Sequence, residues 1–386
     1  MKCLSTKATS IKPSGIRKFF DLASTMEGVI SLGVGEPDFA TPWHICENAI
    51  HYMSTGHTHY TANRGLLELR EEICKFHKEH YNQVYDPENE IIVTIGGSEA
   101  IDLCMRALLN PGDEVIVLDP NYVAYAPSVI LSDGVVVPLK LKEENDFKIL
   151  PEDLKKVITP KTKAMIINYP SNPTGGVMTK EDYAKIIDII KESGIYVISD
   201  EIYAELSFDQ LFASLAQFDE IKSQIIVVNG FSKAYAMTGW RLGYCMANKE
   251  LSSIMNKIHQ YVIMSAPVMS QYAGIEAIKN GYNDVLMMKE DYLKRRNFLV
   301  NRLNRMGLKT NMPHGTFYVF CNIQSTGLDS ETFCERLLQE QKVACVPGNA
   351  FGNSGEGYVR ISYAYSIDHI KEAVVRLEQF LKDLDK

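Results

Sequence analysis

The sequence predicts an α/β fold, with a mostly parallel sheet between helices and a smaller α/β unit after it, and three features carry that expectation. From about residue 90 to 250, short apolar runs rich in Val and Ile alternate with segments of helical period. This is the pattern of strands buried on both faces between crossover helices. A long charged stretch, 284–305, repeats with helical period and bridges out of that region. Beyond it the strand candidates are shorter and are again separated by helical patterns.

In chain order the predicted strands are 91–95, 115–118, 135–139, 164–167, 196–199 and 225–228, then 316–321, 343–346 and 358–363. Each is a short run of β-branched or other apolar side chains that suits a pleated, packed surface. A helical pattern over 101–109 follows the first strand, and another covers 331–341 between the last ones. No internal repeat or low-complexity linker interrupts the chain.

Several junctions between these elements carry polar residues with chemical potential. Gly230-Phe231-Ser232-Lys233-Ala234-Tyr235 sets one lysine among small and apolar residues, with Arg241 eight positions on. Desolvation and a nearby cation both favour a neutral, nucleophilic amine, and an arginine offers a fixed fork of donors to a phosphate. The same residues are compatible with a surface lysine beside a strand. The strand at 196–199 runs into Asp200, and Tyr203 follows three residues later. Strand ends in open α/β sheets hold ligands, although an aspartate there also suits a helix N-cap.

Asn168-Tyr169-Pro170-Ser171-Asn172-Pro173-Thr174-Gly175 follows the strand at 164–167. Its prolines and glycine restrict the loop and hold Asn172 in place, as they would in an ordinary turn. Gly96-Gly97-Ser98-Glu99-Ala100 forms a glycine turn ahead of a helix, where free N–H groups and the helix dipole can cradle an anion. Near the C-terminus Arg360 lies in a β-like run. It reads either as a satisfied edge-strand arginine or as a bidentate grip on a carboxylate.

In this order Gly-Gly-Ser-Glu-Ala, Asn-Pro-Thr-Gly, Ser-Asp-Glu-Ile-Tyr, Gly-Phe-Ser-Lys and Tyr-Val-Arg resemble the class I/II aminotransferases, pyridoxal-phosphate enzymes of fold type I. The resemblance runs from Gly33-Val34-Gly35-Glu36-Pro37-Asp38-Phe39 to Arg360. It is nearest to the branch holding prokaryotic aspartate, aromatic and N-acetyl-diaminopimelate aminotransferases, where openings like Ser14-Gly15-Ile16-Arg17-Lys18-Phe19 and the sequence Met237-Thr238-Gly239-Trp240-Arg241 are usual.

The resemblance implies a large cofactor-binding α/β domain over 41–285 and a small domain made of 1–40 with 286–386. It implies that Lys233 forms a Schiff base with pyridoxal 5'-phosphate and later moves the substrate's α-proton. Asp200 would bind the pyridine nitrogen, Tyr203 and Asn172 would donate to the 3-oxygen, and Tyr122 would stack on the ring. Arg241, Ser232, Gly97 and Ser98 would hold the phosphate. Arg360, helped by Asn172 and the backbone at Gly35, would take the substrate's α-carboxylate. Tyr60 would reach the phosphate of a neighbouring subunit, which implies a homodimer. Gly230 stands where some relatives carry a serine, so one phosphate hydroxyl is absent. No residue matches the mobile arginine that some aspartate enzymes use, and Arg64, Lys12 and Arg17 read as surface charges.

The expected reaction is ping-pong amino transfer between an L-amino acid, with aromatic or neutral ones favoured and aspartate left open, and a 2-oxo acid such as 2-oxoglutarate. Two alternatives share this fold: a pyridoxal-phosphate carbon–sulfur β-lyase and a non-catalytic ligand-binding module. Composition narrows the setting. With 386 residues, 46% of them hydrophobic, the chain is long enough for two domains with a substantial core. Forty basic residues against 48 acidic, a net charge of −8, with no long basic block, disfavour nucleic acid as a partner.

The first residues lack the apolar core of a signal peptide and no run approaches a membrane span, so no membrane partner and a cytoplasmic location are expected. Eight scattered cysteines without a Cys-x-x-Cys pair read as reduced and structural. The histidine pairs 57/59 and 77/80 lack any further ligand pattern, so no metal is expected. His77 and His80 are expected on an exposed helix face.

Overall fold

A computed structural model describes residues 2–11, 13, 15 and 26–384. Lys12, Arg17 and most of the Ser14 to Phe19 opening lie outside the described residues. Twelve strands are described. The first eight are β1 (Ile30–Ser31), β2 (Ile91–Thr94), β3 (Glu114–Asp119), β4 (Val135–Lys140), β5 (Thr162–Asn168), β6 (Tyr196–Asp200), β7 (Ile225–Gly230) and β8 (Gly243–Met246). After the helix Tyr282–Arg305 come β9 (Tyr318–Asn322), β10 (Val343–Ala344), β11 (Val346–Pro347) and β12 (Tyr358–Ser362).

Seven strands form one sheet in the order β2-β8-β7-β6-β5-β3-β4. Only β8 runs antiparallel to its neighbours. Alternate residues of the central strands enter different cores: Ile116, Met165, Val197 and Val227 pack in one, and Val115, Ile166, Ile198 and Val228 in the other. Both faces are therefore covered by helices, which is why these strands read as continuous apolar runs. Strand β8 was not predicted, because Gly243-Tyr244-Cys245-Met246 has no β-branched residue. It forms by hydrogen bonding between β2 and β7.

A third core surrounds the small sheet β11-β12-β9. The helix Tyr282–Arg305 joins the cores, with Val285 in the first and Met288, Tyr292 and Leu299 in the third. The N-terminal segment is bound to this part: β1 pairs in parallel with β10, and Ser362 N–H donates to Leu32 O at 2.8 Å. The 343–346 run is split between two sheets, since Val343–Ala344 meets β1 and Val346–Pro347 meets β12.

Three expectations need correction. The helix predicted over 101–109 starts at Gly96, so Gly97 and Ser98 lie in its first turn rather than before it. Arg360 is on β12, the central strand of its sheet, and is no edge residue. His77 is fully buried, with Nδ1 2.7 Å from Gln83 Oε1 and Nε2 2.8 Å from Tyr244 Oη, while His80 is exposed. Burial lowers the His77 pKa to about 4, so it is a neutral core group that satisfies two polar neighbours.

Candidate active site

The C-terminal ends of β5, β6 and β7 open onto a cavity of about 640 Å³. This is the position in which open α/β sheets hold ligands. Every site residue named from the sequence lines it except Tyr60, which is 84% exposed elsewhere on the surface.

Lys233 follows β7 through a turn that requires Gly230, since a Cβ there would lie 2.9 Å from Gly243 Cα and Leu242 O. A serine at that position would therefore collide with the Leu242-Gly243 backbone. Lys233 Nζ donates to Gly35 O at 2.6 Å and forms no ion pair among the described residues. Burial, then the Arg360 guanidinium and more weakly Arg241, lower its pKa to about 8, against opposing pulls from Glu36 and Asp200. About a tenth of the amine is then neutral at pH 7, far more than for an ordinary lysine. The sign is testable. Between pH 8 and 6.5, covalent loading of pyridoxal phosphate onto apo-protein is expected to slow roughly five- to tenfold per unit as the amine protonates, followed by absorbance. A flat profile would contradict a nucleophilic Lys233.

Asp200 ends β6 and is buried. Its Oδ2 accepts from Tyr125 Oη at 2.7 Å and its Oδ1 from Ile202 N–H at 3.2 Å. Burial raises its pKa to about 6, and those two donors and Lys233 restrain the rise. At neutral pH it is a buried carboxylate without a contacting cation, which a protonated ring nitrogen would supply. Asn168 links the strand ends, donating to Asp200 O and accepting from Asn172 N–H, both at 2.9 Å.

Arg360 is buried, and its Nη1 donates to Asn172 Oδ1 at 2.9 Å and its Nη2 to Gly33 O at 2.6 Å. Gly35, expected beside the substrate carboxylate, lines the same cavity. The Arg360 Nε has no partner among the described residues, nor has it a carboxylate. A buried guanidinium in this state is suited to an anion. With its oxygen engaged, Asn172 presents its amide N–H groups.

The opposite end is an anion cradle at the N-terminus of the helix Gly96–Leu108. A Cβ on Gly96 would lie 2.6 Å from Arg241 Nη2, and one on Gly243 would lie 2.6 to 2.7 Å from the Gly96 and Gly97 backbone. The three close approaches bring the guanidinium against the free N–H groups of the first helical turn. Arg241 donates only to Thr238 O, at 3.0 Å, among the described residues. Glu99 is engaged elsewhere, with Ile95 N–H and His259 Nδ1, both at 2.5 Å. Donors for a phosphate, a carboxylate for a ring nitrogen, hydroxyl and amide groups between them and an uncharged-capable amine together fit pyridoxal phosphate.

Sequence reasoning missed Tyr125, Asn168, Thr238 and Tyr318. Tyr125 opens the helix Tyr125–Leu131 three residues after Tyr122, and its ring meets that of Tyr122 edge-on at 5.6 Å. Tyr318 had no signal in the sequence, because it is an aromatic in an apolar strand.

The family described as aminotransferase class I and II matches residues 27–377. A putative aminotransferase, YugH, of Bacillus subtilis is 50% identical, with 98% of each chain covered. An aspartate aminotransferase of Pyrococcus abyssi is 45% identical over 98% of each chain. The crystal structure of an aromatic aminotransferase from Pyrococcus horikoshii superposes with a TM-score of 0.91 at 44% identity, covering 95% of this chain and 99% of that one. Identity at this level over whole chains sets aside the β-lyase and the non-catalytic module. The chain belongs to the class I and II aminotransferases, pyridoxal-phosphate-dependent transferases of fold type I.

Proposed function

We propose that this aminotransferase exchanges the amino group of an aromatic or neutral L-amino acid with a 2-oxo acid such as 2-oxoglutarate, in ping-pong half-reactions on Lys233. The observation that carries this reading is the meeting of a lysine of lowered pKa, a buried carboxylate and a partly unpaired buried guanidinium in one cavity. Bound pyridoxal phosphate supplies an electron-withdrawing ring that delocalises negative charge from the substrate's Cα.

The residues of the chain do the rest. Arg241, Ser232 and the helix turn at Gly97 and Ser98 hold the phosphate, Asp200 keeps the ring nitrogen protonated, and Tyr203 and Asn172 donate to the ring oxygen. Tyr122 packs on the ring face. Arg360 grips the α-carboxylate and so orients the Cα–H bond, while the Lys233 amine takes the proton from Cα and returns it.

The preference for uncharged side chains rests on the lining. Arg241 and Arg360 are the only arginines on it among the described residues, and Tyr122, Tyr125, Tyr318, Ile101 and Val123 supply apolar wall. Arg64 is taken up by Ile91 O at 3.2 Å and Ser252 Oγ at 2.7 Å. A panel of amino donors with 2-oxoglutarate tests it: phenylalanine or tyrosine is expected to exceed aspartate in kcat/KM by about tenfold or more, and the reverse order would overturn it.

The same reading takes the protein to be a cytoplasmic homodimer with Tyr60 directed to the neighbouring site. Tyr60, Tyr261 and Met264 are exposed, and their segments are joined by Asn63 Nδ2 donating to Met264 O at 2.8 Å. Such an apolar patch suits burial against a second copy. Residues 41–285 would then be the large cofactor-binding domain that carries this patch, with 1–40 and 286–386 as the small domain.

A further inference from the structure

Tyr318 opens β9 and is 1% exposed, on the cavity wall between two groups that touch different parts of the reacting complex. Its hydroxyl lies 3.0 Å from that of Tyr203. Its ring lies 4.2 Å from Arg360 Cζ, and Phe351 covers the guanidinium from 4.8 Å. Gly35 closes on the hydroxyl so tightly that a Cβ there would overlap it.

We propose that Tyr318 is a positioning residue with two tasks: its hydroxyl donates to Tyr203, directing the Tyr203 proton to the cofactor's ring oxygen, and its ring holds the Arg360 guanidinium for the substrate carboxylate. The inference rests on the roles given above to Tyr203 and Arg360. Two hydroxyls in contact share one hydrogen, so one of them must donate. The cation on the Tyr318 face makes Tyr318 the stronger donor. Burial raises both phenols and Arg360 restrains both, but their mutual hydrogen bond lowers Tyr318 and raises Tyr203, which stands well above the ordinary tyrosine range. A hydroxyl that accepts one hydrogen bond is polarised to donate a stronger one. The Arg360 guanidinium donates to Asn172 and Gly33, and the Tyr318 and Phe351 rings fix its plane.

Titrating the visible absorbance of the holoenzyme tests the first task. A donor to the ring oxygen favours its unprotonated form, so weakening that donor moves the titration to higher pH. Tyr203→Phe is expected to raise the midpoint, and Tyr318→Phe to raise it less, by at least roughly 0.3 unit. The double variant should match Tyr203→Phe alone, since Tyr318 acts through Tyr203. A shift in Tyr203→Phe with none in Tyr318→Phe, or additive shifts, overturns this task and leaves the Tyr203 contact standing. No shift in either variant overturns the Tyr203 contact and the inference with it.

Binding of 3-phenylpropionate, an unreactive carboxylate, tests the second task. Tyr318→Phe keeps the ring and should stay within about twofold of the parent, and Tyr318→Leu should weaken binding about fivefold or more. Equal affinities for the phenylalanine and leucine variants would overturn the ring's role. Tyr318→Phe loses no packing volume and decides the hydroxyl's role should the leucine variant misfold, in which case Tyr318→Met replaces it for the ring.

Discussion

Lys233→Ala is expected to abolish transamination, by about 10⁴-fold or more in kcat, while leaving pyridoxal phosphate bound without a covalent link. The two halves of this result have separate causes. Proton transfer at Cα needs a base within the cavity, and Lys233 Nζ is the only amine that lines it among the described residues. Asp200 is committed to Tyr125 and Ile202. Retention of the cofactor follows because the cradle of Arg241 and the helix turn, and the Asp200 carboxylate, are built without Lys233. Native mass spectrometry should show the non-covalent complex, and borohydride reduction should attach no cofactor to the variant. Turnover above about 1% of the parent would sink the assignment.

Asp200→Ala is the second large effect, expected at about 3 kcal/mol of barrier, two orders of magnitude in kcat/KM. The carboxylate is buried and has only neutral donors around it, so its charge acts at short range with little screening. Alanine removes that charge and leaves the Tyr125 hydroxyl without its acceptor. Asp200→Asn keeps the shape and loses the charge, so a similar deficit there separates electrostatics from packing. A loss below about tenfold, roughly 1.4 kcal/mol, in both variants would count against the electron-sink role. Lys233 remains present, so covalent capture of the cofactor should still occur in each.

Much of the fold was legible because burial on both faces writes a local signal. Strands β3, β5, β6 and β7 are apolar runs in sequence and extend only one or two residues beyond the prediction. Strand β8 has no such run, since its place depends on two distant partners. His77 shows the same limit from the helix side. Nothing within its own turn tells that Gln83 and Tyr244, 167 positions away for the latter, will enclose it.

The sequence by itself determined the chemical inventory: Lys233, Asp200, Tyr203, Asn172, Arg241 and Arg360, each at the end or within a readable element. Side-chain identity and short-range periodicity are local properties, so they survive in one dimension. Only the tertiary structure decided how these groups act on each other. Arg360 reaches Gly33 across 327 positions, and burial, then the Arg360 charge, lowers Lys233 to about 8. Tyr125 and Tyr318 became site residues only when their hydroxyls met Asp200 and Tyr203. Desolvation and through-space charge depend on which surfaces the folded chain brings together, and no local pattern encodes that.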